Sequence, residues 1–226
     1  MEEKGLFLSS EDLLILVSSQ QKNSILLPFF SEAALMDDKK IISQLHRLLC
    51  DGVLSYGCEE GQFKVDDEFG MLIKRINNSS MVAEFRFGTS STDFFYLYIT
   101  EDFLSTLVMP EKNRFNTLRL ISSDVDNVIR SLIDKKLLPT ADVDVESIKQ
   151  EQNAFVKLLN SIKEKEELDC MTDEIELEIN LNKGEKIKKI FLVRRHESYA
   201  VAYTKGAEVY AVPYSPEAIV EEIKNW

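Results

Sequence analysis

The chain has 226 residues, 44% of them apolar, enough for one large or two small domains with a sizeable core. Its 39 acidic against 27 basic residues give a formal charge of −12, which repels phosphate backbones and acidic membrane surfaces and argues against nucleic acid as a partner. No run approaches the roughly 20 apolar residues that span a bilayer, so membrane insertion is not expected.

The acidic start Met1-Glu2-Glu3 lacks the basic region of a signal peptide, and Cys50, Cys58 and Cys170 form no disulfide framework. Both features predict a cytoplasmic protein.

Ser9-Ser10-Glu11-Asp12 opens the apolar run Leu13 to Val17. That spacing predicts a short, buried helix, with Ser9 as its cap and Asp12 completing a capping box. Ile25 to Phe30 is apolar but broken by Pro28, which reads as an irregular packed segment. Asp37-Asp38 then precedes Ile41, Ile42, Leu45, Leu48 and Leu49 at helical spacing, with Gly52 where a left-handed C-terminal position is expected. Val53 to Tyr56 and Gln62 to Val65 flank the loop Gly57 to Gly61 and predict a small hairpin, followed by a helix from Asp66 to Asn77.

After the polar break Asn77 to Ser80, Met81 to Leu137 reads as four strands and a helix. Asp173 to Trp226 repeats that order. In each, an apolar strand runs into a helix start, Ser122-Ser123 in one and Ser215-Pro216 in the other. The first helix spans Ser122 to Lys136 and carries Val125, Val128, Ile129, Leu132 and Ile133 on one face. Val145 to Leu168 reads as a charged helix with one narrow apolar stripe, linking the halves.

Glu174 to Leu181 alternates cleanly between polar and apolar residues, so one face is buried and the other is wet. The turn Asn182-Lys183-Gly184 returns it into Lys186 to Arg194, setting Glu176 or Glu178 opposite Lys186 or Lys188.

The expected fold class is α+β: two pseudo-twofold-related antiparallel β-sheet units, each followed by a helix, with an N-terminal helical and hairpin segment. The expected organisation is an N-terminal half over 1–137, made of a helical segment 1–80 and the first four-strand unit 81–137. A linking helix follows over 138–172, then the second unit over 173–226, all within one compact domain.

No Walker loop, nucleophile elbow, H-E-x-x-H or dinucleotide fingerprint occurs, and only two histidines, His46 and His196, are available for acid-base chemistry. The chain therefore reads as a non-enzyme without a cofactor. His46, Cys50 and Cys58 could in principle supply three soft metal ligands. Without a C-x-x-C pair or a second histidine, no metal site is expected. The basic run Lys183, Lys186, Lys188, Lys189, Arg194, Arg195 and His196 reads as a solvated sheet face neutralised by glutamates rather than an anion site.

Helix, hairpin and helix over 37–76 also describe the end of a winged-helix module, with Ile41 to Asp51 as recognition helix. A DNA-binding transcriptional regulator is therefore the alternative function. Against it, this stretch carries eight acids and six basic residues.

Phe94, Tyr96 and Tyr98 alternate with Phe95, Leu97 and Ile99, so both faces of that strand must be covered. In the second unit Tyr199, Val201 and Tyr203 point one way and Ala200 and Ala202 the other. Tyr210, Val212 and Tyr214 likewise oppose Val209 and Ala211.

The segments L-S-S-E-D-L-L-I-L at Leu8, L-L-P-F-F at Leu26, S-Q-L-H-R-L-L-C-D-G-V-L at Ser43 and F-K-V-D-D-E-F-G-M-L-I-K-R-I at Phe63 stand in an order that resembles the EspG family. The closing S-Y-A-V-A-Y-T-K-G-A-E-V-Y-A-V-P-Y-S-P-E-A-I-V-E-E-I is similar to that family's final strand pair and helix. These are cytosolic chaperones associated with type VII secretion.

The resemblance implies a pseudo-twofold pair of sheet subdomains and a C-terminal subdomain that binds a helical secreted client. The expected client surface is Tyr199, Tyr203, Tyr210 and Tyr214, with at least two rings exposed, because tyrosine joins a large apolar ring to a polar tip.

Overall fold

In the computed structural model, residues 6–19, 37–57, 63–88, 94–111, 117–140, 175–195, 198–205 and 208–226 are described below. They form an α+β fold with a large antiparallel sheet and five helices. The chain divides into two compact units, Met1–Ser80 with Leu97–Ser123, and Met81–Tyr96 with Asp124–Trp226.

The first unit begins with β1 (Leu6–Ser9), a strand the sequence did not announce, paired antiparallel to β7 (Thr117–Asp124) from Leu6↔Leu120 to Ser9↔Thr117. α1 (Ser10–Ser19) follows at once. Its capping box is as expected: Ser9 N donates to Asp12 Oδ2 at 3.0 Å, and Asp12 N donates to Ser9 Oγ at 3.1 Å. Asp12 is buried, and its Oδ2 also takes a short hydrogen bond from Arg47 of α2 (Asp38–Cys50). One carboxylate thus caps one helix and anchors another.

α2 is capped by Asp37, whose side chain accepts from Lys40 N at 2.8 Å, and Gly52 follows it with φ +73°. The hairpin β2 (Leu54–Tyr56) and β3 (Phe63–Val65) leads into α3 (Asp67–Asn77), which buries Leu72, Ile73 and Ile76. Here the strand order is β1-β7-β6-β5, where β6 is Leu104–Pro110 and β5 is Phe94–Ile99. Phe95 through Ile99 are all buried, as the two-faced apolar pattern requires.

The β5–β6 turn carries a residue sequence reasoning would not place there. Thr100 N donates to Leu104 O at 2.9 Å, and Phe103 takes φ +60°. Three-residue hairpin loops put a left-handed residue at this point, usually glycine, and a bulky side chain costs roughly 1 to 2 kcal/mol there.

The second unit has the order β5-β4-β8-β9-β10-β11, with β5 contributing Phe94–Tyr96. β4 (Met81–Phe87) and β8 (Ile175–Lys183), the first strands of the two four-strand runs, pair antiparallel from Val82↔Asn182 to Phe87↔Leu177. Each run is a meander ending in a helix, α4 (Val125–Asp134) after β7 and α5 (Pro216–Lys224) after β11 (Glu208–Pro213). β9 (Lys186–Arg195) and β10 (Ser198–Lys205) lie between β8 and β11.

Two expectations need correction. α4 starts after Asp124, not at Ser122-Ser123. Arg75 donates to Ser122 Oγ at 2.6 Å and Ser105 Oγ donates to Ser123 O at 2.8 Å, which keeps both serines in β7, while Asp124 Oδ1 accepts from Asn127 N at 2.8 Å. The β8–β9 pairing also differs, because the turn is Gly184-Glu185 with Gly184 at φ +61°. Lys186 faces Lys183 and Lys188 faces Leu181, while the charge pairs are Glu178–Lys189 at 3.2 Å and Glu176–Arg194 at 3.4 Å. The linking helix expected over 145–168, the proline-broken segment at Ile25 to Phe30, and Cys58 lie outside the described residues.

Asp12→Ala removes a helix cap and leaves Arg47 only the longer carboxylate contact, with Asp51 at 3.6 Å. Stability in urea denaturation should fall by about 2 to 3 kcal/mol, and an unchanged midpoint would deny the dual role.

Candidate partner-binding surface

The four tyrosines sit on β10, β11 and the residue that follows β11. Register pairs Val201↔Val212 and Tyr203↔Tyr210, so the odd positions of β10 and the even positions of β11 share a face. On that face Tyr203 and Tyr210 stack with centroids 5.7 Å apart, and Tyr199 meets Tyr214 at 6.1 Å.

The closing helix α5 begins beside this face. Ser215 caps it, accepting from Ala218 N, and Pro216 takes its first position, as the sequence predicts. It buries Ile219 and Ile223, while Lys224 reaches Asp126 of α4 at 2.5 Å.

The strongest tie is polar. Lys188 belongs to the same side of β9 as Ile190 and Leu192, which face Tyr203 and Val201 across the ladder. Its Nζ donates to Glu222 Oε2 at 2.6 Å and Glu222 O at 2.9 Å, and lies 5.3 Å from the centre of the Tyr203 ring. Lys188 is only 7% exposed. Burial, then the neighbouring Glu222 charge and its hydrogen bond, raise the Tyr203 phenol above its ordinary range.

This arrangement sorts the four predicted residues. Tyr214 is 3% exposed, with its hydroxyl donating to Pro139 O at 2.8 Å, and burial pushes its pKa up to about 12. It is core. Tyr199 and Tyr203 are half-buried. Tyr210, at 40%, is the one exposed ring of the four, so the expectation of at least two is not met. The physical reason is that α5 packs on the face that alternation assigned to a client.

Sequence reasoning missed Lys188 and Glu222. The period-two pattern did place Lys188 on the side of Ile190 and Leu192. A lysine there needs a carboxylate on whatever covers the strand, and among the described residues Glu222 adjoins buried Ile223 on the one helix that follows.

The opposite face is charged toward β4 and apolar toward β10. Glu84 accepts from Tyr96 OH and Arg86, each at 2.8 Å, and burial with this bond raises the Tyr96 phenol. With Glu178–Lys189 and Glu176–Arg194, this pairs much of the basic run with carboxylates. Val193 and Ala202 form a small buried cluster flanked by Ile175, Phe191, Ala200 and Ala211.

In the winged-helix-like segment, some of the basic side chains are engaged too. Lys40 pairs with Glu11, Arg47 with Asp12 and Asp51, and Lys64 with Asp67. His46 Nδ1 and Cys50 Sγ lie 3.6 Å apart on α2. Among the described residues no cluster of three or more potential metal ligands occurs. No described helix is long and apolar enough to cross a membrane. The first unit also holds an open recess of about 790 Å³ beside Met71, Arg75, Thr100 and Leu104.

No family model matches the chain, and no curated protein matches it by sequence. Among solved structures, the chain is similar to the Mycobacterium tuberculosis type VII secretion system chaperone EspG5 in complex with the PE25-PPE41 dimer. The TM-score is 0.54 at 9% identity, covering 98% of this chain and 95% of that chain. At that identity the likeness is one of fold.

Two outcomes follow from the buried contacts. Lys188→Ala strands Glu222 beneath the sheet face and should cost about 3 kcal/mol, whereas Lys188→Met with Glu222→Leu should recover most of it; equal losses would show no coupling. Tyr214 is held neutral in the fold, so its contribution is complete below the ordinary phenol range near pH 10 and fades as pH climbs through about 12. Absorbance titration at 295 nm should show late-ionising tyrosines, and Tyr214→Phe should reduce that late amplitude by one ring.

Proposed function

We propose that this chain is a non-enzymatic cytosolic binding protein that holds a helical secreted client, in the manner of a type VII secretion chaperone. The observation that carries the reading is the fold likeness to EspG5, which runs through nearly the full length of both chains.

Surface chemistry is compatible with a protein client. Tyr210 offers an exposed ring backed by Tyr203, and a flat aromatic of this kind loses little side-chain entropy on burial. Tyr199 and Tyr203 supply the partly exposed flank. The net charge of −12 works against a nucleic-acid ligand.

Co-expression with the small helical export substrates of the source organism tests the reading. A stable complex on size exclusion, with the client aggregating when made alone, is the expected result. In that complex Tyr210→Ala should weaken binding by roughly 1 to 2 kcal/mol with the melting temperature nearly unchanged. Failure to bind any such substrate, together with a salt-sensitive gel shift on duplex DNA, would replace the chaperone reading with a regulator.

A further inference from the structure

The hydrogen-bond parity of β11 fixes which of its backbone groups are already used. Tyr214 N donates to Tyr199 O at 3.2 Å, which makes Tyr199↔Tyr214 a hydrogen-bonded pair. Such pairs alternate along an antiparallel ladder. Register then gives the same status to Val201↔Val212 and Tyr203↔Tyr210.

The backbone groups of Val209, Ala211 and Pro213 therefore point away from β10. Pro213 agrees with this independently, since it has no N–H and proline in a sheet belongs where that group would face outward. β11 is the last strand of the order, and among the described residues no strand lies beyond it. Its outer edge offers two N–H groups and the matching carbonyls, with the exposed Tyr210 between them.

We propose that this edge pairs with the same edge of a second copy of the chain, forming a twofold-symmetric dimer. One register satisfies both outward N–H groups of each copy and also joins the aromatic rings. With the axis at Tyr210, Val209 of each copy faces Ala211 of the other, giving four N–H to O=C bonds and leaving Pro213 outside the paired segment. Shifting the axis to Ala211 also gives four bonds, two between the Ala211 residues and one from each Val209 N–H to a Pro213 carbonyl, but it sets Tyr210 opposite Val212 and parts the two rings.

The favoured register also brings the two Tyr210 rings face to face across a non-hydrogen-bonded pair, where side chains approach most closely. Each ring already stacks on Tyr203, so the dimer completes a ladder of four tyrosines across the axis. Position 208 falls opposite Val212, so no like charges meet in register. A strand from a different protein would satisfy the same groups, but the self-complementary register and the aromatic ladder favour an identical one.

The paired segment is short, so the association is weak, with a dissociation constant on the order of 10⁻⁴ M. Two chains of charge −12 repel, so added salt tightens it. The proposal does not rest on the identity of any client.

Sedimentation equilibrium on the full chain, loaded from roughly 10⁻⁵ to 10⁻³ M, tests it. A monomer–dimer equilibrium that strengthens with salt is expected. Ala211→Pro removes an outward N–H without breaking a bond to β10, and Tyr210→Glu sets two carboxylates against each other. Each should lower the association constant at least tenfold while circular dichroism shows an intact fold. If Ala211→Pro disturbs the fold, Tyr210→Glu alone decides. A wild-type monomer at every concentration overturns the proposal and leaves the edge to a strand of another protein. A dimer that Tyr210→Glu does not weaken overturns it as well.

Discussion

A lysine placed on the apolar side of a strand cannot stay there without a partner, and Lys188 finds it in Glu222. The pair draws α5 onto the face shared by β9 and β10, because the ammonium bonds both the carboxylate and the carbonyl of one residue. An isolated charge in that position would cost several kcal/mol, so the helix and the strand specify one another. What lies beneath α5 becomes core: Val201, Ile190, Leu192 and the ring of Tyr214. What lies beyond it remains surface, and that is Tyr210 with the outer edge of β11.

The same constraint explains which parts of the fold were legible in the residues. Local signals were read correctly where both partners lie within one helical turn. Ser9 with Asp12, Asp37-Asp38 at the start of α2, Ser215 with Pro216, and Gly52 after α2 all belong to this class. The alternation of β8 was also legible, since burial on one face leaves a direct period-two trace.

Features set by distant partners were not. Ser122 and Ser123 look like helix caps, yet Arg75 and Ser105 hold them in a strand from 47 and 18 residues away. The left-handed Phe103 carries no glycine to mark it. β1 is too short to show alternation, and it exists because β7 offers it a ladder. The tyrosine site was half legible: the shared face followed from periodicity, whereas its coverage by α5 depended on one ion pair across 34 residues.

On the charged side Glu178 pairs with Lys189 and Glu176 with Arg194, and at the β11 end of the second unit an exposed ring, Tyr210, stands beside the strand edge. Both are means of holding another polypeptide. Amide hydrogen exchange resolved by NMR, on dilute protein, tests this division of β11 most directly. Slow exchange at Tyr210 and Val212, with fast exchange at Val209 and Ala211, is the predicted pattern; protection of Val209 and Ala211 with rapid exchange at Tyr210 and Val212 would contradict it.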